Sequence, residues 1–283
     1  MPTAHLDDRA LVTVSGPDAE GFLQNIVTAD LDALHPGEAK PSALLTPQGK
    51  ILFDFLISRN GPDAFRLECR ADIADDFVRR LTLYKLRAKV EISKRDESLV
   101  AVAWGSDSST SSIDSTWLRD TRFPQSAPVR RSYEAREASA DVKAWHAFRI
   151  ANGIAESGSD YALGDAFPHD VLLDLMSGVG FRKGCYVGQE VVSRMQHRGT
   201  ARRRVLIVSG EDLPSTGTEI VAGGRSIGTL GSSADGNGLA ILRIDRVKDA
   251  LDAGTPIEAG GVAITIPGWA TFTYPEKTSS EGA

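Results

Sequence analysis

The order of apolar and polar positions near the start of the chain predicts a strand, a helix and a hairpin. The sequence LVTV at 11–14 predicts a short strand. The stretch 15–30 predicts a helix, because its apolar side chains recur with helical spacing. Residues 41–58 predict two strands that are joined by a turn at 47–49, where proline and glycine interrupt the apolar runs.

The middle of the chain continues this mixture of helix and strand. Residues 64–70 alternate apolar and polar side chains, which predicts a strand with Cys69 on its apolar face and therefore in the core. The apolar spacing in 73–86 predicts a helix, whereas 99–104 predict a buried strand. Residues 105–116 are rich in serine and predict a surface loop.

The last part of the chain predicts one more helix and then only strands. Helical spacing covers 141–152, and an Asn-Gly step marks its end. From residue 201 the apolar runs are short and separated by glycines, which predicts a small β-barrel or sandwich. The polar tail at 277–283 is expected to be disordered. The fold class expected from this pattern is α+β, followed by an all-β module.

Composition narrows the class of protein. Hydrophobic residues make up 41% and charged residues 25%, which is typical of a soluble globular protein. The net charge of −6 argues against direct nucleic-acid binding. The sequence shows no secretory signal pattern and no apolar run of about 20 residues, so we expect no membrane association and a cytoplasmic location. Two cysteines, Cys69 and Cys185, are too few for a disulfide framework.

The most distinctive local chemistry lies in the sequence RKGCYVGQEVVSRMQHRG at 182–199. It places Cys185 between glycines and next to cationic side chains, and a predicted helix begins a few positions later. Cationic neighbours and the N-terminal end of a helix both favour the thiolate form of a cysteine. The segment therefore predicts a nucleophilic or metal-binding thiol, with a small buried hydrophobe as the alternative.

The same segment carries two weaker signals. Glu190 and Arg194 stand one helical turn apart and can form an ion pair, which is a common feature of helix surfaces. The glycines of 178–184 follow no clear strand and lack the spacing of a dinucleotide-binding loop, so we exclude that class of site.

The run KGCYVGQEVVSR, followed by an Arg-Gly step, resembles the signature of the YgfZ family, which is related to the aminomethyltransferase (T-protein) of the glycine cleavage system. The resemblance extends to 16–30, 46–57 and 149–160, and to the β-rich end of the chain. The signature positions that this chain supplies are Lys183, Gly184, Cys185, Tyr186, Gly188, Gln189, Glu190, Arg194, Arg198 and Gly199.

The resemblance implies a tetrahydrofolate-binding protein that assists iron–sulfur cluster assembly or repair. It implies support for the maturation of cluster-dependent enzymes, including radical enzymes that modify tRNA, with assembly proteins or such client enzymes as partners. The implied fold is a three-part ring around a folate-sized channel, with a small C-terminal β-barrel. The domains expected on this basis are an interleaved folate-binding α+β domain at 1–48 and 141–200, a second α+β domain at 49–140, and the barrel at 201–276.

Two kinds of site follow from the resemblance. Cys185 is expected to be the key thiol and a transient iron ligand, without a permanent metal. Because one cysteine cannot hold a cluster alone, a partner protein or a small thiol would complete the ligand set. Tetrahydrofolate is the expected cofactor, without permanent binding. The residues expected to contact folate are Asp54, Arg149, Tyr186, Arg194 and Arg198.

The chain departs from the related aminomethyltransferases in its hairpin. Those enzymes carry two adjacent aspartates there, one of which polarises or protonates the folate at the reacting nitrogen. In this chain Asp54 takes the first position and Phe55 the second. A phenylalanine supplies no carboxyl group, so Asp54 acts alone, the step is absent, or Asp54 is only a polar strand residue.

A second departure concerns the pterin ring of the folate. The relatives carry an R-x-E-x-G run whose glutamate accepts hydrogen bonds from the pterin, and here Ala151 takes that position after Arg149. Buried donors that lose their partner cost about 1–3 kcal/mol each. Either Asn152, Glu156 or another group substitutes, or folate binds weakly.

His169 and Asp170 are adjacent, so they do not face each other well in regular structure, and we expect no catalytic pair there.

Local charge gives some support to an anion site. Arginine matches the carboxylates of folate, and a solvated basic face is an equal alternative. Five arginines cluster in one part of the sequence, namely Arg194, Arg198, Arg202, Arg203 and Arg204.

Two other classes of function stay open from the sequence. A folate-dependent aminomethyl or one-carbon transferase would use Asp54 as its acid or base and leave Cys185 structural. Phe55 and Ala151 both argue against that enzyme. A pure interaction scaffold would have no affinity for folate. The sequence favours an auxiliary factor over a classical enzyme.

Overall fold

The computed structural model describes residues 1–96, 99–105 and 116–268. The chain divides into two compact units, each made of three segments. The first unit consists of Met1–His146, Leu163–Pro168 and Leu173–Arg194. The second unit consists of Ala147–Ala162, His169–Leu172 and the described part of Met195–Ala283.

The chain passes between these units several times, and the first unit contains 1–48 and 49–140 together. The boundary expected between residues 48 and 49 thus lies inside one unit, in a turn between two strands, and the division into two domains there stays a prediction. The end of the expected barrel at 269–276, the tail at 277–283 and most of the predicted serine-rich loop (106–115) lie outside the described residues.

A nine-stranded mixed sheet dominates the first unit. Its strands are β1 (Thr3–His5), β2 (Arg9–Ser15), β3 (Glu38–Leu45), β4 (Ile51–Arg59), β5 (Ala64–Arg70), β6 (Glu91–Lys94), β7 (Ala101–Trp104), β8 (Leu118–Asp120) and β9 (Val129–Ser132). Their order is β1-β7-β9-β8-β3-β4-β5-β2-β6. Neighbours are antiparallel except for the parallel pair β3 and β8.

Helix α2 (Ala74–Lys85), preceded by a 3₁₀ turn at Ala71–Ile73, shares the core with one face of this sheet. The alternation predicted for β5 is confirmed, because Phe65, Leu67 and Cys69 are fully buried in the same cluster as the apolar side chains of α2. The helical spacing predicted for 73–86 is likewise confirmed.

The helix predicted for 15–30 is much shorter in the structure. Helix α1 spans only Ala19–Gln24. Beyond it, Val27 pairs with Leu44 in an isolated bridge, and the backbone N–H of Thr28 donates to the carbonyl oxygen of Ala43 at 2.9 Å. Pairing with β3 therefore overrides the local helical pattern, as tertiary context often does.

Helix α3 (Val142–Ala151) confirms the helix predicted at 141–152. Trp145 near its start is fully buried, with ring centroids 5.8 Å from Trp104 and 5.7 Å from Phe123. These contacts explain Trp145 as a packing residue. No helix among the described residues has both the length and the apolar character that crossing a bilayer requires.

A closed six-stranded barrel forms most of the second unit. Its elements are β10 (Arg203–Ser209), β11 (Glu219–Ala222), β12 (Arg225–Ala234), β13 (Asn237–Arg243), α5 (Ile244–Ala253), β14 (Ile257–Ala259) and β15 (Val262–Ile264). The strand order is β10-β13-β12-β11-β14-β15. Ser209 at the end of β10 and Thr265 just after β15 exchange two backbone hydrogen bonds of 2.9 Å, which joins the first strand to the last. The C-terminal β-barrel predicted from the sequence is confirmed.

Candidate functional site

The thiol segment leads into a helix, as the sequence predicts. Helix α4 spans Gln189–Arg198, and the backbone N–H of Gln189 donates to the carbonyl oxygen of Tyr186 at 3.2 Å. Cys185 precedes this helix by four positions and is exposed.

Lys183 anchors the segment to the chain between α1 and β3. Its Nζ donates to the carbonyl oxygens of Val27 and Ala29, both at 2.8 Å, and lies 5.2 Å from the ring centroid of Tyr186. Burial lowers the pKa of Lys183 to about 8, although two nearby aspartates oppose the shift. The sequence does not indicate this anchoring role, because the acceptors are backbone carbonyls that any residue type can supply.

Tyr186 covers the buried side of the segment. Its side chain is only 7% exposed, and burial raises its pKa to about 12. Adjacent residues therefore lie in opposite environments, with Cys185 in solvent and Tyr186 in the protein interior. The structure gives Tyr186 a packing role, and its expected contact with folate stays a prediction.

The two signature glycines near Cys185 differ in their surroundings. Gly188 has φ +78°, and a Cβ there would lie 2.5 Å from the carbonyl oxygen of Thr46 and 3.1 Å from Cα of Gly49. Gly188 therefore lets the segment rest directly on the turn between β3 and β4. A Cβ on Gly184 would meet no atom within 4 Å. A close approach to another segment therefore occurs at Gly188 and not at Gly184.

An open depression of about 680 Å³ surrounds the thiol. Its lining residues are Pro47, the segment 185–190, Ser193 and Arg194. The predicted ion pair between Glu190 and Arg194 is present at 2.5 Å, with the two side chains 84% and 55% exposed. Such an exposed pair contributes little to stability. The depression leaves the sulfur of Cys185 accessible to another protein or to a metal cluster.

The end of the signature terminates α4. Gly199 has φ +58°, and the backbone N–H of Thr200 donates to the carbonyl oxygen of Met195 at 3.1 Å. A glycine in the left-handed region just after a helix is a common way to end it. Arg198 is the exposed last residue of α4, and its expected contact with folate stays a prediction.

Asp54 and Phe55, the two hairpin positions that correspond to the paired aspartates of the transferases, lie in different environments. Phe55 is 3% exposed, and its ring centroid lies 5.0 Å from that of Phe77. Asp54 is half-buried and, by the alternation of a strand, belongs to the other face of β4. Position 55, which holds the second aspartate in the transferases, is therefore a core position in this chain. A carboxylate there would lie among aromatic rings.

Arg149 is the centre of a buried ion-pair network in the second unit. The guanidinium is 2% exposed and lies 2.9 Å from the carboxylate of Asp160 and 3.2 Å from that of Glu156. Its terminal nitrogens also donate to the carbonyl oxygen of Ile154 at 3.0 Å and to the hydroxyl of Ser232 at 3.1 Å. An arginine has five N–H groups, and these contacts, with a longer one to a further serine hydroxyl at 3.4 Å, occupy them all.

The arginines after α4 have separate partners. Arg204 is buried and donates to the carbonyl oxygen of His169 at 2.9 Å, whereas Arg203 lies 3.7 Å from the carboxylate of Asp170. The ring of His169 contacts the side-chain oxygen of Gln196 at 3.0 Å. His169 and Asp170 therefore face different partners, as expected for adjacent residues, and two of the five clustered arginines have structural roles.

Two family models and several curated relatives match the chain. "CAF17, C-terminal beta-barrel domain" matches residues 202–272, and "GCVT N-terminal domain" matches 8–110. The chain is 32% identical to the mitochondrial iron–sulfur cluster assembly factor IBA57 of Mus musculus, over 93% of this chain and 84% of the relative. The chain belongs to the IBA57 family. The Homo sapiens IBA57 is 29% identical over the same shares of the two chains, 93% and 84%.

A solved structure confirms the fold of this IBA57-family chain. The crystal structure of glycine cleavage system aminomethyltransferase T from Bartonella henselae matches with a TM-score of 0.72, over 94% of this chain and 84% of that one. The sequence identity is 16%, so the likeness shows the fold alone. The predicted α+β, aminomethyltransferase-like fold with a C-terminal β-barrel is confirmed.

Membership of the IBA57 family corrects two expectations from the sequence, the name of the family and the cellular location. The resemblance to aminomethyltransferase-related cluster assembly factors is correct, but the relatives carry the name IBA57 and not YgfZ. The predicted cytoplasmic location is contradicted, because the curated IBA57 relatives are mitochondrial proteins.

Two of the five residues expected to contact tetrahydrofolate, Arg149 and Tyr186, and the position of Ala151 fit that ligand poorly in this IBA57-family chain. Arg149 directs its N–H groups to protein oxygens, and the ring of Tyr186 is covered. Ala151 lies exposed at the end of α3 and offers no side-chain acceptor. Of the two suggested substitutes, Glu156 is paired with Arg149, and the amide of Asn152 donates to the backbone of α3. No step of the function is therefore assigned to folate.

Proposed function

We propose that this chain is an iron–sulfur cluster assembly factor whose Cys185 thiolate binds the cluster while it passes between proteins. The family relationship supports the process, since the relatives are named as iron–sulfur cluster assembly factors. The observation that carries the residue assignment is an exposed cysteine within an open depression, on a segment that Lys183 and Gly188 fix to the first unit.

The chemistry requires little from this chain beyond one thiolate. The sulfur of Cys185, as the thiolate, donates an electron pair to an iron atom of the incoming cluster and displaces one ligand of the carrier, which takes up the proton that the thiol gives off. Clusters need about four protein ligands. No group of three or more His, Cys, Asp or Glu side chains in the described parts of the chain is placed to hold a metal ion. The partner that brings or receives the cluster supplies the remaining ligands.

Cys69 provides the matched comparison within the same unit. It is fully buried, and burial raises the pKa of its thiol to about 12. At neutral pH this thiol is protonated and inaccessible, so it cannot bind iron. Any thiol-dependent activity of the folded chain is therefore expected to depend on Cys185.

The test compares Cys185→Ala and Cys185→Ser with Cys69→Ala in cells that lack the wild-type chain. The readouts are the activities of several cluster-dependent enzymes, including a radical enzyme that modifies tRNA, a client class that the sequence resemblance suggests. We expect loss of client activity with both Cys185 variants and retention with Cys69→Ala. Full client activity with a folded Cys185→Ala protein would rule out the thiol mechanism.

Tetrahydrofolate binding and one-carbon transfer remain separate predictions. A transferase would turn over tetrahydrofolate with an aminomethyl donor, and Phe55 in the core argues against it. A pure scaffold would keep partner binding in the Cys185→Ala variant together with client activity. The cell experiment and a turnover assay together separate these classes.

A further inference from the structure

A second hollow, remote in sequence from the thiol segment, lies on the first unit. Thr13 of β2 and Arg66 of β5 are directly paired across the two strands. They alternate with the core residues Val12, Val14 and Phe65, so they lie on the opposite face of the sheet. The hollow measures about 360 Å³ and is lined by Thr13, Asn60, Arg66, Arg95, Tyr133 and Glu134.

Arg66 is held in a fixed position on one wall. Its guanidinium lies 5.4 Å from the ring centroid of Tyr133, and its Nη2 donates to the side-chain oxygen of Asn60 at 2.5 Å. Within the described chain, its Nε and Nη1 have no hydrogen-bond partner. The planar guanidinium is therefore oriented by protein contacts while several of its donors remain open.

Arg95 adds a second cation to the same hollow. Its backbone N–H donates to the carbonyl oxygen of Leu11 at 2.9 Å, which continues the pairing of β6 with β2. Its guanidinium makes no hydrogen bond or ion pair with any described residue. Burial lowers the pKa of Arg66, and the charge of Arg95 adds to the effect, whereas Tyr133 and Glu134 oppose it.

The single carboxylate in the hollow does not balance these two cations. Glu134 is 59% exposed, and its carboxylate lies 3.6 Å from a guanidinium nitrogen of Arg136, outside the hollow's lining. Two arginines and one glutamate leave an excess of one positive charge among the lining residues. An anion placed between the two guanidinium groups would relieve their repulsion and fill their open donors.

We propose that this hollow binds a small oxyanion, a carboxylate or a phosphate group, between Arg66 and Arg95. The hydroxyl of Thr13 and the amide nitrogen of Asn60, whose oxygen already accepts from Arg66, supply further donors. Arginine forks match the planar oxygens of both anions. The volume of about 360 Å³ accommodates a small metabolite that carries such a group. The proposal does not depend on Cys185 or on cluster assembly.

Calorimetric titration at low ionic strength tests the proposal, with inorganic phosphate in one arm and citrate in the other. The variants are Arg66→Gln and Arg95→Gln. The matched control is Arg80→Gln, which removes the same charge from an exposed arginine of α2. We expect binding of at least one anion by the wild type, a loss of about tenfold or more in each hollow variant, and less than about twofold in the control.

The titrations distinguish binding of phosphate, binding of a carboxylate and absence of a specific anion site. The arm that binds identifies phosphate or carboxylate as the preferred group. Absence of binding in both arms up to about 10 mM, or equal weakening in the Arg80→Gln control, overturns the proposal. If circular dichroism shows that Arg66→Gln is misfolded, Arg95→Gln decides the result, because Arg95 is exposed and its side chain makes no hydrogen bond or ion pair with a described residue.

Discussion

The signature glycine Gly188 gives the sharpest test of how the thiol segment is held. Replacement by alanine adds a Cβ at φ +78°, where an L-residue costs about 1–2 kcal/mol. The new Cβ would also lie 2.5 Å from the carbonyl oxygen of Thr46. That oxygen accepts the backbone N–H of Gly49 at 2.8 Å, so it cannot retreat without weakening the turn.

The two effects together set the magnitude. Overpacking against a fixed atom costs about 1–3 kcal/mol, so Gly188→Ala should lower the free energy of unfolding by about 2–5 kcal/mol in total. Gly184→Ala is the matched control, because its Cβ meets open space at a backbone conformation outside the left-handed region. It should change the free energy of unfolding by less than about 0.5 kcal/mol.

Urea unfolding and thiol labelling measure this difference. Urea denaturation gives the free energy of unfolding of each variant, and the rate of Cys185 labelling by Ellman's reagent reports on the segment in the folded state. We expect Gly188→Ala to be clearly destabilised and to change the labelling rate, with Gly184→Ala close to wild type in both. Equal stability of the two variants would refute the assignment of Gly188 as the contact between the segment and the β3–β4 turn.

Three further predictions concern charged groups and folate. Arg149→Ala should lower the free energy of unfolding by about 3–5 kcal/mol, because the carboxylate of Asp160, whose side chain is 1% exposed, loses its cationic partner and keeps only hydrogen bonds from Glu156 and Ser232. A loss below about 1 kcal/mol in urea denaturation would contradict the network. The pKa of Lys183 is about 8 in the folded state against an ordinary 10.5, so the unfolded state binds more protons between these values. The free energy of unfolding of the wild type, taken relative to that of Lys183→Met, should therefore rise from about pH 8 to 10.5 and stay constant below pH 8. Urea denaturation of both proteins at a series of pH values measures this difference, and a difference that does not change with pH would refute the prediction. Calorimetry with tetrahydrofolate should show no micromolar binding by the wild type and a gain in Ala151→Glu, whereas micromolar wild-type binding contradicts the poor fit.

Local patterns predicted the elements whose signal lies in the spacing of their own residues. The spacing of apolar residues in 73–86 predicted α2 within one residue at each end, and strand alternation placed Cys69 correctly in the core. The short, glycine-separated runs predicted the barrel for the same reason, since each strand carries its own signal. Helix α1 is shorter than its spacing predicts, because Val27 pairs with Leu44, a contact that the local spacing does not encode.

The contacts of the site that sequence reasoning missed are made with residues far away in the chain or with backbone groups, which every residue type carries. Arg149 stands at a family motif position, yet its partner Ser232 lies 83 residues away in the chain. Lys183 binds backbone carbonyls, which leave no trace in residue type. Gly184 and Gly188 look alike in the sequence, and only the packing of the β3–β4 turn distinguishes them.

The most direct test of the central claim is protection of Cys185 from alkylation during cluster transfer. A cluster-loaded carrier protein is mixed with the chain, iodoacetamide is added briefly, and mass spectrometry measures modification of each cysteine. Cys69, which is fully buried, serves as the internal reference for an intact fold. The account predicts that the loaded carrier protects Cys185 and that the cluster-free carrier does not. Cluster transfer at full rate with Cys185 equally reactive in both mixtures would contradict it.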